Sequence, residues 1–332
     1  MHATVTIVTY HFVRDLRNSR FPAIKGLDLE SFRGQLEFIQ KHYTFVTMED
    51  LLNFLDRRID GLPSSAALLT FDDGYIDHFT NVFPLLDEMR IQGSFFPPAQ
   101  TVLEHRVLDV NKIHFVLASI PEPKRVVQSI MDAVNQHKAE LDLADVGYYW
   151  EHCSTGHRYD PPEVIFIKRM LQKALPARLR VRLIDDLFRR YVTPDEGAFA
   201  RELYMGMDQL RCMHRHGMFI GSHGHTHCWL DSISPEEQER EIDFSRCFLR
   251  DLGVDTDNWV MCYPYGGYNE SLLAILRRKG CRLGLTVNVG LADLRTADPL
   301  TISRLDTNDL PKRPDGASGS WTLTAIQHNR QA

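Results

Sequence analysis

The sequence lacks the short cysteine pairs that mark zinc fingers and disulfide-rich scaffolds. Its 332 residues include 6 cysteines, and no two of them form a CxxC pair. A large chain with cysteines spaced in this way is predicted to hold reduced thiols, as intracellular proteins do. The sequence also lacks any apolar run of about 18 residues, so no transmembrane segment is expected.

An excess of positive charge is missing as well. The 38 Lys and Arg residues are outnumbered by 44 Asp and Glu residues, which gives a formal net charge of −6. Nucleic-acid binders neutralise the phosphate backbone with basic side chains, so this balance argues against a general binder of that kind. No nucleic acid is therefore expected as a partner.

The N-terminal segment MHATVTIVTYHF has no basic region followed by a long apolar stretch and a small-residue cleavage site. It is predicted to be the first β-strand and not a signal peptide. Together with the reduced cysteines, this predicts a cytoplasmic protein, with peripheral attachment to a membrane as the alternative. The composition, 43% hydrophobic and 25% charged, is typical of a globular protein that buries its own core.

Short apolar segments alternate with helical patterns along most of the chain, which indicates an α/β fold with a parallel sheet. Most of these segments are continuously apolar, as expected for strands buried on both faces. Helix signals lie between them: Ser234 and Glu237 form a capping box, and Gly253 is predicted to end that helix. The candidate strands are residues 5–10, 66–71, 93–96, 218–221, 259–263 and 282–287.

Residues 101–213 interrupt this alternation with a helical and charged pattern. We interpret them as a helical insertion between two parts of one catalytic unit, residues 1–100 and residues 214–320, which leaves residues 321–332 as a tail. The insertion is expected to shape access of the substrate or to form the contact of a homo-oligomer.

Chemically reactive groups follow four of the apolar segments, at the point where each predicted strand ends. These groups are His11, the pair Asp72 and Asp73, His223 and Tyr265. In parallel α/β folds and barrels the active site lies at the carboxyl ends of the strands. One such coincidence would be weak evidence, but four together predict an active site.

The segment TFDDGY places two carboxylates, Asp72 and Asp73, next to each other. They would point to opposite faces of a continuing strand, but Gly74 allows a turn that brings both towards one pocket. Like charges push the pKa values of neighbouring carboxyls apart, so we expect one to bind a cation and the other to act as a base. The alternative is a solvated turn without a catalytic role.

The segment SHGHTH supplies further ligands for such a cation. His223 and His227 are four residues apart, a spacing that places two imidazoles on one face of a helical turn. Two histidines and one carboxylate make a site with three protein ligands and open positions, as in catalytic zinc centres. His225 is expected to point away, with a pairing of His223 and His225 as the alternative. Histidines of a polar loop without a metal are a further alternative.

TFDDGY, SHGHTH and CYPYGGYN, in this order, resemble the motifs of the polysaccharide deacetylases, the NodB-homology domains of carbohydrate esterase family four. The resemblance covers residues from about 66 to 290. The N-terminal YHFV is similar to the permuted subgroup typified by poly-N-acetylglucosamine deacetylases, in which the catalytic histidine lies near the N-terminus. The resemblance implies a distorted (β/α) barrel of the NodB-homology type, here with a large helical insertion.

The same resemblance implies one divalent metal ion, zinc in the first place, with cobalt, nickel or iron as alternatives. Its implied ligands are Asp73, His223 and His227.

The resemblance also implies the catalytic roles. Asp72 would be the general base, the backbone N–H of Tyr265 would belong to the oxyanion hole, and His11 would be the general acid. The family often has an arginine two residues before the proline of the third motif, where this chain has Cys262. Arg304 is the candidate replacement, with Asp306 nearby in sequence, and a structural salt bridge of Arg304 is the alternative.

The implied reaction is removal of an N-acetyl group from an amino sugar of a cell-surface polysaccharide or of its precursor. The substrate could be free, nucleotide-linked, lipid-linked or oligomeric. Alternatives are a deformylase of a lipid-linked formamido sugar, a catalytically silent sugar-binding module and an amidase of cyclic amides. The expected substrate-binding residues are Tyr75, Pro264, Tyr268 and Trp229, although aromatic residues at such spacing also pack in cores.

Overall fold

The computed structural model describes residues 2–155 and 160–328. The described residues divide into two compact units. The first comprises residues 2–15, 26–106 and 201–328, and the second comprises residues 16–25, 107–155 and 160–200.

Strands and helices alternate in the first unit, as the sequence predicts for an α/β protein, whereas the described elements of the second unit are helical. The strands are β1 Thr4–Tyr10, β2 Val13–Arg14, β3 Leu27–Asp28, β4 Thr44–Phe45, β5 Ala66–Asp72, β6 Gly93–Phe96, β7 Phe219–Ile220, β8 Val260–Cys262, β9 Leu283–Val289, β10 Ala292–Asp293 and β11 Ile302–Asp306. The α-helices are α1 Leu29–His42, α2 Met48–Leu55, α3 Phe83–Met89, α4 Ala99–Leu103, α5 Asp109–Ser119, α6 Lys124–His137, α7 Val146–Cys153, α8 Pro162–Arg169, α9 Ala177–Tyr191, α10 Glu196–Leu203, α11 Met207–Arg215, α12 Pro235–Leu252, α13 Glu270–Arg278 and α14 Ser320–His328.

The first unit is built on a curled sheet. Seven strands follow the order β7-β6-β5-β1-β11-β9-β8, and all neighbours along this path are parallel. A further parallel bridge between Ser222 and Met261 joins the two end strands. The sheet therefore closes on itself as a distorted barrel, which confirms the expected fold class.

The strands have two apolar faces because the sheet is covered on both sides. Ala66 and Leu68 of β5 belong to one buried cluster, whereas Leu69 and Phe71 belong to another. This explains why the strand sequences are continuously apolar. The same alternation places Asp72 on the face of Ala66 and Leu68, at the carboxyl end of the strand.

The helix signals in the sequence are confirmed at α12. Ser234 accepts a hydrogen bond from the backbone N–H of Glu237, and the Glu237 side chain accepts one from the backbone N–H of Ser234. Gly253 ends the helix in the left-handed region with φ 88°.

The second unit is helical and has a charged group in its core. The side chain of Lys112 is 1% exposed, and its ammonium lies 2.6 Å from an Asp185 oxygen and 3.0 Å from a Glu196 oxygen. A buried ammonium requires such partners because the loss of hydration is costly.

The bounds of the second unit differ from those expected for the insertion. Helix α4 overlaps the start of 101–213 and helix α11 overlaps its end, yet both lie in the first unit, whereas residues 16–25 belong to the second. The expected tail also differs, because α14 is helical and the Tyr43 hydroxyl donates to the buried Thr322 hydroxyl at 3.0 Å. Residues 329–332 of that tail lie outside the described residues.

Candidate active site

The two adjacent carboxylates lie where β5 turns into the next segment. Asp72 is the last residue of β5, and Asp73 and Gly74 follow with positive φ values of 73° and 69°. The backbone N–H of Asp73 donates to the carbonyl of Phe96 at 3.1 Å. A side chain at position 74 would collide with Pro97, since a Cβ there would lie 2.7 Å from the proline Cβ. The left-handed turn is what keeps both carboxylates buried at one place.

Asp73, His223 and His227 form a buried cluster. Asp73 Oδ1 lies 3.4 Å from His223 Nε2 and 3.2 Å from His227 Nε2, and the three ligand atoms lie within 4.8 Å of one another. Among the described residues Asp73 Oδ1 has no hydrogen-bond partner of sound geometry. A buried carboxylate oxygen left without a hydrogen bond and facing two imidazole nitrogens is suited to a divalent cation. The residues present therefore fit a metal ion with open coordination positions.

Each histidine reaches the cluster in a different way. The Nδ1–H of His223 donates to the carbonyl of Cys262 at 2.7 Å, which directs Nε2 towards Asp73. His227 has φ 59° and Gly224 has φ 73°, within an irregular loop. The prediction of a helical turn at His223 and His227 is therefore wrong. Positive φ values in the loop, and not helical spacing, bring the two imidazoles together.

His225 lies on the other side of this loop. Its Nε2 is 3.4 Å from a Glu104 oxygen and its ring stacks on Phe244 with centroids 5.0 Å apart. Glu241 holds the loop by accepting hydrogen bonds from the backbone N–H groups of His225 and Thr226. The described cluster thus contains His223 and His227 and not His225.

Asp72 is held by Arg304 of β11. Both residues are buried, and the guanidinium also donates to the Thr286 carbonyl at 2.9 Å and to the Thr70 hydroxyl at 3.1 Å. The Thr9 hydroxyl donates to Asp72 at 3.2 Å. Burial alone would raise the pKa of the Asp72 carboxyl, but the Arg304 guanidinium holds that pKa well below its ordinary value.

Neither Cys262 nor Asp306 provides the positive charge that pairs with the Asp72 carboxylate. Cys262 lies at the position where related motifs have arginine, and burial raises the pKa of its thiol, so it is a neutral group beside the carboxylate. Asp306 accepts hydrogen bonds from Asn308 within a turn. Arg304 is thus the residue of the segment 303–309 that reaches Asp72 in the structure.

His11 directly follows β1, and its side chain is exposed. A positive charge on His11 contributes to lowering the pKa of both Asp72 and Asp73, after the larger effects of burial and of nearer groups. The carbonyl of His11 accepts a hydrogen bond from His78 Nε2 at 2.8 Å. His11 therefore lies at the same end of the sheet as the two carboxylates.

An aromatic stack borders the cluster. Tyr265 has φ 56° in the turn Pro264–Gly266. Its ring lies parallel to that of Trp229, with an interplanar angle of 4° and centroids 4.5 Å apart, and 4.7 Å from the His227 ring. Tyr268 packs against Tyr263 and the core, with centroids 5.2 Å apart.

Tyr75 does not lie where a substrate-contacting side chain would. It is 1% exposed, stacks on Phe12 with centroids 3.9 Å apart, and donates its hydroxyl hydrogen bond to Asp73 Oδ2. Tyr75 directly follows the left-handed turn at Asp73 and Gly74. Pro264 is also buried. Tyr75 thus stabilises the Asp73 carboxylate through this hydrogen bond.

Sequence reasoning missed the groups that support the site. Thr9, Thr70, His78 and Glu241 all make hydrogen bonds to its residues or loops. Thr9 and Thr70 carried a signal, because each is a polar residue near the end of an apolar strand. His78 and Glu241 lie in segments whose sequence gives no such signal.

Comparisons with known proteins agree with these motifs. A family model described as polysaccharide deacetylase matches residues 184–284, which contain His223, His227 and Tyr265. The curated protein named "Putative polysaccharide deacetylase YxkH" of Bacillus subtilis (strain 168) is 29% identical over 85 residues. That match covers 26% of this chain and 30% of the relative, so it spans less than a third of the relative's length.

Solved structures share the fold over nearly the whole chain. The deacetylase PplD of Streptococcus pyogenes, in complex with acetate, has a TM-score of 0.55 at 16% identity and covers 95% of this chain and 96% of its own. IcaB from Ammonifex degensii has a TM-score of 0.54 at 18% identity and covers 98% of both chains. The resemblance to the polysaccharide deacetylase family is confirmed by the family match, which contains the second and third motifs, and the solved structures show that the fold is shared.

Proposed function

We propose that the protein is a metal-dependent hydrolase that removes an N-acetyl group from an amino sugar. The sugar would belong to a cell-surface polysaccharide or to its nucleotide- or lipid-linked precursor. The observation that carries the proposal is the cluster of Asp73, His223 and His227 beside the carboxylate of Asp72. The family match and the deacetylase PplD, which shares the fold, support the same class of reaction.

The metal ion would be held by Asp73, His223 and His227. A bound divalent ion such as zinc polarises a carbonyl and lowers the pKa of a water molecule. The nitrogen and oxygen ligands also suit cobalt, nickel or iron.

Asp72 is suited to take the proton of the attacking water. Its pKa lies well below the ordinary value, so it is ionised at neutral pH and can accept a proton. A carboxylate of low pKa is a weak base, so it needs an acidic water to act on. Arg304 fixes the direction in which the two oxygens point.

His11 is proposed to protonate the leaving nitrogen. An amine leaves an amide only after its nitrogen is protonated, and imidazole is the side chain most often used for such transfers. The backbone N–H of Tyr265 is proposed to stabilise the negative charge that develops on the carbonyl oxygen. The adjacent rings of Trp229 and Tyr265 offer a surface on which a sugar ring could stack.

The substrate form and the cellular location stay predictions. None of the helices in residues 2–155 and 160–328 combines the length and the apolar character that crossing a bilayer requires. A cytoplasmic location would favour a nucleotide- or lipid-linked precursor over an exported polymer. The proposed role of the helical insertion is to shape substrate access or to join copies of the chain.

The direct test is to load purified protein with zinc or cobalt and to quantify acetate and formate released from N-acylated hexosamines. The panel should contain free, nucleotide-linked, lipid-linked and oligomeric substrates, together with small cyclic amides. Acetate release that disappears in Asp72→Asn and after chelation would support the proposal. Formate alone would favour a deformylase, release only from cyclic amides would favour a different amidase, and glycan binding without turnover would favour a binding module.

A further inference from the structure

Between β5 and α3 the chain forms a π-helical turn, His78–Val82. Turns of this kind are rare and are often found at functional sites. We propose that His78 in this turn is a positioning residue that fixes the orientation of His11. The proposal rests on the proposed function, in which His11 is the general acid.

The contact between the two histidines is direct. His78 is fully buried, and its Nε2 lies 2.8 Å from the carbonyl oxygen of His11. Because a carbonyl only accepts hydrogen bonds, Nε2 of His78 must carry the proton. Burial lowers the pKa of His78 to about 4, so this imidazole is neutral at neutral pH and does not compete as an acid.

The surroundings of His78 keep its ring in one place. The rings of Phe71, Tyr75 and Phe95 lie with centroids 5.5, 5.6 and 5.8 Å from it. Nδ1 of His78 has no hydrogen-bond partner within the part of the chain that the structure describes. The only hydrogen bond that the described residues give this imidazole is therefore directed at His11.

Two further bonds join this turn and the residue before it, Asp77, to the segment that follows His11. The Asn81 amide donates to the carbonyl of Val13 at 2.9 Å. Nε of Arg14 donates to Asp77 at 2.7 Å. The turn and the residue before it thus hold the segment at three points, which are the backbone carbonyls of His11 and Val13 and the side chain of Arg14.

This arrangement matters because His11 has little else to orient it. Its side chain is exposed, and within residues 2–155 and 160–328 the imidazole makes no hydrogen bond of its own. Its position is therefore set by its backbone, and the bond from His78 acts on the peptide unit of His11 itself. A displacement of about 1 Å in a catalytic group can reduce the rate about a hundredfold.

The test uses two substrates that differ in their need for an acid. Hydrolysis of an N-acetylated glucosamine oligomer requires protonation of the leaving nitrogen, whereas 4-nitrophenyl acetate has a leaving group that departs without it. His78→Phe retains a ring but removes the donor. We expect it to lower kcat on the amide about 10- to 100-fold, with KM and ester hydrolysis nearly unchanged.

Two variants serve as the rescue and the control. His78→Gln restores an amide N–H on a neutral side chain and should recover most of the lost kcat. Thr80→Ala lies in the same turn but removes a bond to the Ile76 carbonyl, so it should behave as wild type. Adding His78→Phe to His11→Ala should lower amide hydrolysis no further than His11→Ala alone, because both changes act through one group.

Equal losses on both substrates, or a full additional loss in the double variant, would overturn the proposal. So would wild-type kinetics in His78→Phe. If His78→Phe does not fold, Asn81→Ala removes the bond to Val13 and should show the same selective loss to a smaller degree.

A measurement without substrate separates this proposal from the proposed function. In histidine-labelled protein, the NMR resonances of the His11 imidazole, assigned with His11→Ala, should shift or broaden in His78→Phe and return in His78→Gln. Unchanged resonances would overturn the positioning role. Failure of the wild type to hydrolyse any amide would instead overturn the proposed function, whatever the resonances show.

Discussion

Arg304 donates two parallel hydrogen bonds to Asp72, from Nη1 to Oδ1 at 3.0 Å and from Nη2 to Oδ2 at 2.9 Å. The two residues come from β11 and β5, which are separated in the sheet by β1. The guanidinium therefore reaches across a strand, and Thr9 of that strand donates to the same carboxylate. Such a bidentate pair fixes geometry as well as charge, which a lysine would not do.

Replacing Arg304 should reduce both stability and turnover. Arg304→Met leaves a buried carboxylate without its partner, and we expect unfolding to become easier by about 3–5 kcal/mol at neutral pH. Denaturant unfolding measures this, with Arg278→Met as the matched control. The pair of Arg278 and Glu239 is exposed to solvent, so its loss should change stability far less than the loss of Arg304.

The stability that Arg304→Met loses should depend on pH in a definite direction. The pKa of Asp72 is lowered in the folded protein, so its stabilising effect is present above the unfolded pKa of about 3.9 and is lost as pH falls through the folded value. In Arg304→Met, burial should raise this pKa. The difference in stability between wild type and variant should therefore shrink on acidification, and a difference that grows would contradict the assignment.

Replacing the proposed base should separate turnover from metal binding. Asp72→Asn keeps the size of the side chain but cannot accept the proton, so we expect acetate release to fall about 10²- to 10⁴-fold. The metal content, measured by elemental analysis, should remain that of wild type because Asp72 is not one of the three proposed ligands. Activity close to wild type would exclude Asp72 as the base.

Replacing a proposed ligand should remove metal and turnover together. His227→Ala removes one of the three groups and should lose most bound metal after dialysis. His225→Ala is the matched control, since its imidazole faces Glu104 and Phe244. It should retain both metal and activity. Full metal content in His227→Ala would show that the ligands are assigned incorrectly.

Removing the metal should also lower thermal stability. A ligand that binds only the folded state stabilises it by about 2.7 kcal/mol when present at a hundred times its Kd. We expect chelation to lower the Tm of the wild type and excess zinc to restore it. Asp73→Asn should show a much smaller response, and an equal response would place the ion elsewhere.

The sequence was sufficient to predict six of the strands, with ends within two residues of those observed, and to single out the two carboxylates and the two histidines. In each case the signal was local, a polar group directly after an apolar strand or within the loop that follows it. The contact between Arg304 and Asp72 was harder to predict, because it depends on the order and register of strands that are far apart in sequence. Arg304 was a candidate, but no local pattern placed β11 two strands from β5.

Backbone conformations with positive φ account for several of the differences between the site predicted from the sequence and the site in the structure. Asp73 and His227 both adopt φ values that non-glycine residues seldom take, and although Asp and His are among the residue types enriched there, the type alone does not specify this conformation at a given position. Tyr75, which follows this turn, was expected to bind substrate but is buried in the structure. The assignment of residues 16–25 to the second unit was unpredictable for a different reason, since it depends on long-range packing.

The bridge between Ser222 and Met261 lies one residue before His223. It is the seam at which the curled sheet closes, and the carbonyl that orients His223 belongs to Cys262, on the other side of that seam. Asp73 comes from the early part of the chain, whereas both histidines come from the late part. The hydrogen bond that orients His223 therefore forms only when the strand carrying Cys262 has docked, so closure of the barrel and the orientation of this proposed ligand are linked.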